Sequence, residues 1–284
     1  MNRRRAVLQE AFFKVLMIGS AATVLGSLAL ILGTVVWRGI GALNLAMLTQ
    51  TPKGGYYLGK EGGILNAIVG SLYLALGGTL LAVVVSLPIA LYLQIYAGHS
   101  RRAELTRLAL DVLWGIPSIV YGAFGFIIML SLGMRASLLG GIITLALLEL
   151  PIMARGMDEA IAMMPAALKE ASFAMGATRL ETALKVVVRQ TGPALLTAVL
   201  LAFGRGIGDA AAVLFTAGYT DRLPDSLLGP AASLPLAVFF QLGTPFPAVQ
   251  ERAYASALIL TFIILVLSLI SRWLARRLTK HMIR

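Results

Sequence analysis

The sequence predicts an all-α integral membrane protein with six transmembrane helices. Three observations lead there: an apolar composition, repeated uncharged runs of bilayer length, and a lopsided distribution of Lys and Arg between those runs. Of the 284 residues, 58% are hydrophobic and only 13% charged, where an ordinary soluble domain carries about 25% charged residues. A bilayer core is crossed by about 20 predominantly apolar residues in a helix, and several stretches meet that length without a charge.

The first is Val15 to Val36, which follows the basic segment MNRRRAVLQEAFFK. At 22 residues it exceeds the roughly 7 to 15 of a cleavable signal peptide's apolar region, so a retained first transmembrane helix is expected. The second run is Ile64 to Ala97, interrupted by Pro88, and the third is Val112 to Met134. A fourth span covers Ala136 to Ala154 with Glu149 inside it. The fifth begins near Gln190 and ends near Gly218, carrying Arg205 and Asp209, and the sixth is Ala253 to Ser271. A further apolar stretch, Ser226 to Leu242, contains Pro230 and Pro235. It is expected to be interfacial or partly re-entrant, because irregular backbone at membrane depth needs protein or water partners.

Six spans place both termini on one side. Segments 1–14, 97–107, 155–189 and 272–284 hold 17 Lys and Arg, whereas segments 37–63, 135 and 219–252 hold 6. The first set is expected in the cytoplasm of a bacterial cell, because basic loops stay on that side of the inner membrane. The same distribution argues against nucleic-acid binding despite a net charge of +11, since the basic residues do not gather on one soluble face.

The absence of cysteine excludes disulfides and thiolate metal sites. His99 and His281 are the sole imidazoles, too few for a histidine-rich metal centre or a plausible triad. Gly54 to Glu61, GGYYLGKE, matches a phosphate-binding loop except at its last position. There Glu61 replaces the Ser or Thr that would hold magnesium, so ATP binding is not expected. No cofactor and no enzymatic activity are expected of this chain.

The longest cytoplasmic segment, 155–189, reads RGMDEAIAMMPAALKEASFAMGATRLETALKVVVR. It is too polar to span and too rich in helix formers to be a disordered loop. A break is expected before Pro165, Gly176 ends or bends the next helix, and another begins within Ala177 to Val188. This segment resembles the coupling loop of ABC importer permeases, whose pattern is Glu-Ala-Ala, three residues, Gly, nine residues, Ile-x-Leu-Pro. Glu170, Ala171 and Gly176 stand at the family spacing, Ser172 replaces the second Ala, and Arg189 stands where the family has Pro. The resemblance implies a short helix that docks in a groove of an ATP-hydrolysing subunit, with Ala171, Ala174 and Ala177 permitting close approach and Glu170 offering an anchor.

Further stretches resemble the A-type permeases of phosphate uptake systems: GGILNAIVGSLYLAL from Gly62, GIPSIVYGAFG from Gly115, FGRGIGDAAAVLFTAG from Phe203 and PAASLPLAVF from Pro230. The likeness covers residues 62 to 276, with Asn66, Asp209 and Ala210 replacing the family's Pro, Glu and Thr. It implies the ABC type-1 importer permease fold, divided as follows. Residues 1–63 hold the cytoplasmic tail, first helix and first periplasmic segment; 64–276 form the permease domain; 277–284 form a cytoplasmic tail. It also implies four kinds of partner: a second permease in a heterodimer, a dimer of ATP-hydrolysing subunits, an extracytoplasmic phosphate-binding protein, and membrane lipid. Permeases for sulfate or molybdate share the coupling loop and form the alternative.

Two charges within the fifth span carry most of the functional content. An Arg at a span's centre costs about 2.5–3.5 kcal/mol on insertion scales, so Arg205 must face protein or water. Asp209, four residues on, shares its helix face if the helix continues. Together they are read as part of a substrate pathway, against a structural ion pair. Glu149 has two open readings, a place in the pathway or a hydrogen bond to backbone groups freed by Pro151. Ala198, Ala202, Gly206 and Ala210 form a stripe of small residues suited to close packing against another subunit or along a narrow pathway. An ion-driven carrier using Glu149, Arg205 and Asp209 as a relay is the rival class, and the coupling-loop spacing argues against it.

Overall fold

A computed structural model of the chain describes residues 3–53, 61–98 and 100–279. Most of the Gly54–Glu61 segment, His99 and His281 lie outside the described residues. The chain opens with α1 (Arg3–Gly39) and a short α2 (Leu45–Thr49). A two-residue antiparallel pair follows, β1 (Pro52–Lys53) and β2 (Glu61–Gly62), with Pro52 opposite Gly62. Then come α3 (Leu65–Tyr92), prolonged by a π-helical turn Leu93–Ala97, α4 (Arg101–Trp114), α5 (Ser118–Ser131) and α6 (Leu138–Ala162). The remainder is α7 (Ala166–Ala174), α8 (Arg179–Glu181), a second π-helical turn Thr182–Val187, α9 (Val188–Ile207), α10 (Leu234–Leu242) and α11 (Pro247–Thr279).

Five helical stretches among the described residues are long and apolar enough to cross a membrane: 9–42, 65–97, 138–162, 179–207 and 247–273. A sixth arises if α4 and α5 count as one broken span, but their axes differ by 97°. The third crossing expected over 112–134 is therefore not one helix. Pro117 disfavours helical dihedrals at Ile116, and Gly115 closes α4. Tyr121 stitches the corner by donating its hydroxyl to the Leu113 carbonyl at 2.9 Å. With 14 residues, α5 is about 21 Å long, short of the roughly 30 Å of a bilayer core.

The centre of the bundle is the packing of α3, α6 and α9. Ala82, Met153, Met157, Val187 and Ala202 are buried in one cluster there. The small stripe belongs to this interior contact: Ala198, Ala202 and Gly206 are buried, and Gly156 of α6 lies against Ala198. These three therefore pack within the chain, against α6, and are not free for another subunit, whereas Ala210 lies beyond the end of α9 and is half-buried. The side chains of residues 9–33 in α1 are all exposed. This helix leans on α11 near its end, where Arg38 lies over the Tyr254 ring at 5.3 Å.

The fifth span also departs from expectation. Helix α9 ends at Ile207 with Gly208 as its cap, and the chain continues to Ser233 in turns and extended backbone. That stretch is satisfied by protein partners, as irregular backbone in a membrane protein must be. The first amides of α6 would otherwise be orphan donors. Instead Leu138 N–H donates to Gly229 O at 2.7 Å and Leu139 N–H to Leu227 O at 2.8 Å, with Ser137 N–H reaching Thr216 O at 2.8 Å. Asn66, the residue that replaces the phosphate permeases' Pro, donates its amide to Thr220 O at 2.6 Å. Ser71 accepts from Leu234 N–H at 2.7 Å. The 226–242 stretch accordingly holds no spanning helix; only the nine-residue α10 forms, and its Leu234, Leu236 and Ala237 are buried.

Candidate functional site

The residues singled out from sequence fall at two separate places. Glu170 and Ala171 lie on α7, none of whose residues is buried. Gly176 closes that helix with φ +83°, a left-handed conformation that suits glycine. Its N–H donates to Phe173 O at 2.9 Å and Ala177 N–H to Ser172 O at 3.2 Å, which is the Schellman pattern of helix termination. Apart from its own chain neighbours, no atom of the described residues lies within 4 Å of where a Gly176 Cβ would stand, so backbone conformation and not space selects glycine here. Thr178 and Glu181 then start α8 with reciprocal capping bonds of 3.2 and 3.1 Å. The outcome is a short helix between two sharply defined ends, half-buried on one side at Leu168, Lys169 and Ser172 and exposed on the other, with Met175 exposed at its tip.

The expected loop 155–189 is thus only partly a loop. Residues 155–162 complete α6, and Thr182–Val187 is a π-helical turn leading into α9. Ser172 of α7 is hydrogen-bonded to Thr182 of that turn at 2.9 Å. Lys169, on the side of α7 turned to the bundle, has its pKa lowered by burial, opposed in part by the nearby charge of Asp158.

The second place is the end of α9. Arg205 keeps about half of its side chain exposed, and Asp209 only 9%. Their nearest approach is 3.9 Å from Nη2 to Oδ2, a loose contact. The shared helix face expected from a four-residue spacing does not exist, because the helix stops before Asp209. Instead Asp209 Oδ1 accepts the Ala212 N–H at 2.8 Å, so the carboxylate caps the turn that continues the chain. Most of the Arg205 guanidinium is left without a protein partner among the described residues.

Glu149 is fully buried one residue from this point. Its Oε2 accepts a hydrogen bond from Thr79 Oγ1 of α3 at 2.7 Å, while Oε1 lies against Gly206 and has no hydrogen-bond partner among the described residues. Its observed hydrogen bond goes to a side chain on another helix and not to the backbone freed by Pro151. Thr79 was not foreseen, since a lone Thr in an apolar run gives no signal until the helix opposite it is known.

A third group of charges was also missed. Asp158 is 2% exposed and receives Arg107 Nε at 2.8 Å, Arg155 Nη1 at 3.1 Å and Gln94 Nε2 at 2.8 Å. Arg155 reaches on to Asp111 at 2.6 Å. Arg107 and Asp158 are 51 positions apart, so their pairing exists only once α4 folds onto α6.

The family described as binding-protein-dependent transport system inner membrane component matches residues 82–284. The chain belongs to this family. The phosphate transport system permease protein PstA of Haemophilus influenzae is 33% identical over 243 residues, covering 85% of each chain. PstA of Yersinia pestis is 33% identical over 242 residues, covering 85% of this chain and 81% of its own. In fold, the inward-facing MetNI methionine ABC transporter superposes with TM-score 0.62 at 19% identity, covering 75% of this chain and 95% of that one. An amino acid ABC transporter gives TM-score 0.57 at 20% identity, covering 75% and 92%. The resemblance to phosphate permeases and the type-1 importer fold therefore hold, and this membrane component is a multi-pass protein. Within this permease, the exposed helix α7 and the half-exposed Arg205 are the candidate working parts.

Proposed function

We propose that the chain is the transmembrane permease subunit of an ATP-driven phosphate importer in the bacterial inner membrane, with both termini and α7 in the cytoplasm. The observation that carries this reading is the identity of 33% over 85% of both chains with a protein named for phosphate transport. In this reading a second permease completes the pathway, a dimer of separate ATPase subunits supplies the energy, and an extracytoplasmic binding protein delivers phosphate.

Helix α7 is the docking element for the ATPase. Its exposure, its sharp end at Gly176 and the outward carboxylate of Glu170 suit insertion into a groove, and Ala171 presents no bulk against close approach. Arg205 belongs to the substrate pathway. A guanidinium offers a planar set of donors matched to phosphate oxygens, and Arg205 keeps most of its donors free. Asp209, 3.9 Å away, moderates the attraction, because a permeant ion must leave as readily as it enters. The 17 to 6 division of basic residues supports the orientation.

The test is uptake of labelled phosphate into vesicles reconstituted with both permeases, the ATPase and the binding protein. ATP-dependent uptake, lost when the ATPase is omitted and resistant to excess sulfate or molybdate, is expected. Uptake without the ATPase would overturn the reading.

A further inference from the structure

The charged cluster around Asp158 lies where α7 joins the bundle, and no part of the pathway reading uses it. Both carboxylate oxygens are engaged. Oδ1 accepts from Gln94 Nε2 at 2.8 Å and Arg107 Nη2 at 3.2 Å, and Oδ2 from Arg107 Nε at 2.8 Å and Arg155 Nη1 at 3.1 Å. The donors come from three elements. Gln94 sits in the π-helical turn that ends α3, Arg107 in α4, and Arg155 in α6 beside Asp158 itself. Gln94 also donates to the Asp158 carbonyl at 3.2 Å. Arg107 reaches the carbonyl of Gly98 at 3.3 Å, in the turn between α3 and α4. Arg155 binds Asp111 of α4 at 2.6 Å and Glu159 at 3.3 Å.

Helix α7 is separated from α6 by only Met163, Met164 and Pro165. A cavity of about 490 Å³ lies between the cluster and the start of α7, with Lys169 on its wall. A displacement of α7 therefore enters the bundle at the end of α6, four residues past Asp158. Whether it spreads to α3 and α4 depends on how those elements are held to α6. Apolar contact alone permits sliding, whereas fork-shaped guanidinium contacts fix direction and distance. A buried ion pair contributes little net stability compared with apolar packing of the same volume, so stability does not explain four charge-assisted contacts on one carboxylate.

We infer that Asp158 is a positioning residue for transport: it fastens the ends of α3, α4 and α6 into one block, so that movement of α7 is delivered to all three together. This rests on the reading of α7 as the ATPase-docking helix. Asp158→Asn keeps the shape and removes the charge shared by Arg107 and Arg155. α3 and α4 then lag behind α6 when the ATPase closes.

The experiment compares phosphate uptake with ATP hydrolysis in the reconstituted complex. For Asp158→Asn, the ATPase co-purifies and hydrolyses ATP near the wild-type rate, while phosphate moved per ATP falls by about fivefold or more, the range of a typical coupling between sites. Arg107→Lys, which keeps the charge but loses the fork, falls less. An unchanged ratio in an assembled Asp158→Asn complex overturns the inference, as does a proportional fall of uptake and hydrolysis, which marks a merely structural role. If Asp158→Asn does not assemble, the ratio for Arg107→Lys decides in the same way. The docking reading fails separately, by full co-purification and uptake in Glu170→Lys.

Discussion

Glu149 and Gly206 share one small space between α6 and α9: the carboxyl Oε1 lies where any side chain on residue 206 would have to begin. The other oxygen is held by Thr79 of α3 at 2.7 Å. Three helices therefore meet at one carboxyl, immediately beside Arg205. The absence of a side chain at 206 sets how closely α9 approaches.

Gly206→Ala forces the carboxyl or the helix to move, and overpacking of this kind costs about 1–3 kcal/mol. A lower Tm of the detergent-purified protein is the expected readout. Adding Glu149→Ala restores part of the loss, because the two positions are in contact and their effects are not additive. Strictly additive losses would show that the two groups do not compete for space.

Arg205→Gln abolishes uptake with assembly and ATPase binding intact, and Arg205→Lys is partly active, since it keeps the charge but not the fork. Combining Arg205→Gln with Asp209→Asn does not rescue uptake, because the observed ion pair is loose and Asp209 is engaged in capping. Restored uptake in the double variant would return Arg205 to a structural role. Asp209→Asn retains the acceptor for Ala212 N–H, whereas Asp209→Ala loses it at a cost of about 1 kcal/mol.

Gly176→Val places a β-branched residue at φ +83°, a strain of about 1–3 kcal/mol. Glu170→Lys reverses a charge on the exposed face of α7. Both variants insert normally while ATPase co-purification and uptake fall together. Undiminished uptake in both would leave 166–176 as an ordinary surface helix.

Orientation is tested with single cysteines in this cysteine-free chain. Met175 and Asp225 are both exposed, so Met175→Cys and Asp225→Cys are accessible to a reagent on their own side. An impermeant thiol reagent on intact cells labels residue 225 and spares residue 175. The reverse pattern would invert the topology.

Composition, run length and charge placement were enough to determine an all-α membrane bundle, because burial in lipid demands long uncharged helices wherever they end up packing. Local chemistry likewise determined the breaks before Pro165 and at Gly176, since proline and left-handed glycine act through their own backbone dihedrals. Only the tertiary structure decided that the third crossing bends by 97° and that α9 stops before Asp209. Pro117 and Gly115 mark the first break locally but do not set its angle, and the second opens a run whose backbone carbonyls are taken up by other segments, Thr220 O by Asn66 and Gly229 O by Leu138 N–H. The partners of Glu149 and Asp158 belong to the same class. A carboxylate buried among helices takes its meaning from donors 70 and 51 positions away, and that proximity is created by packing, not by spacing along the chain.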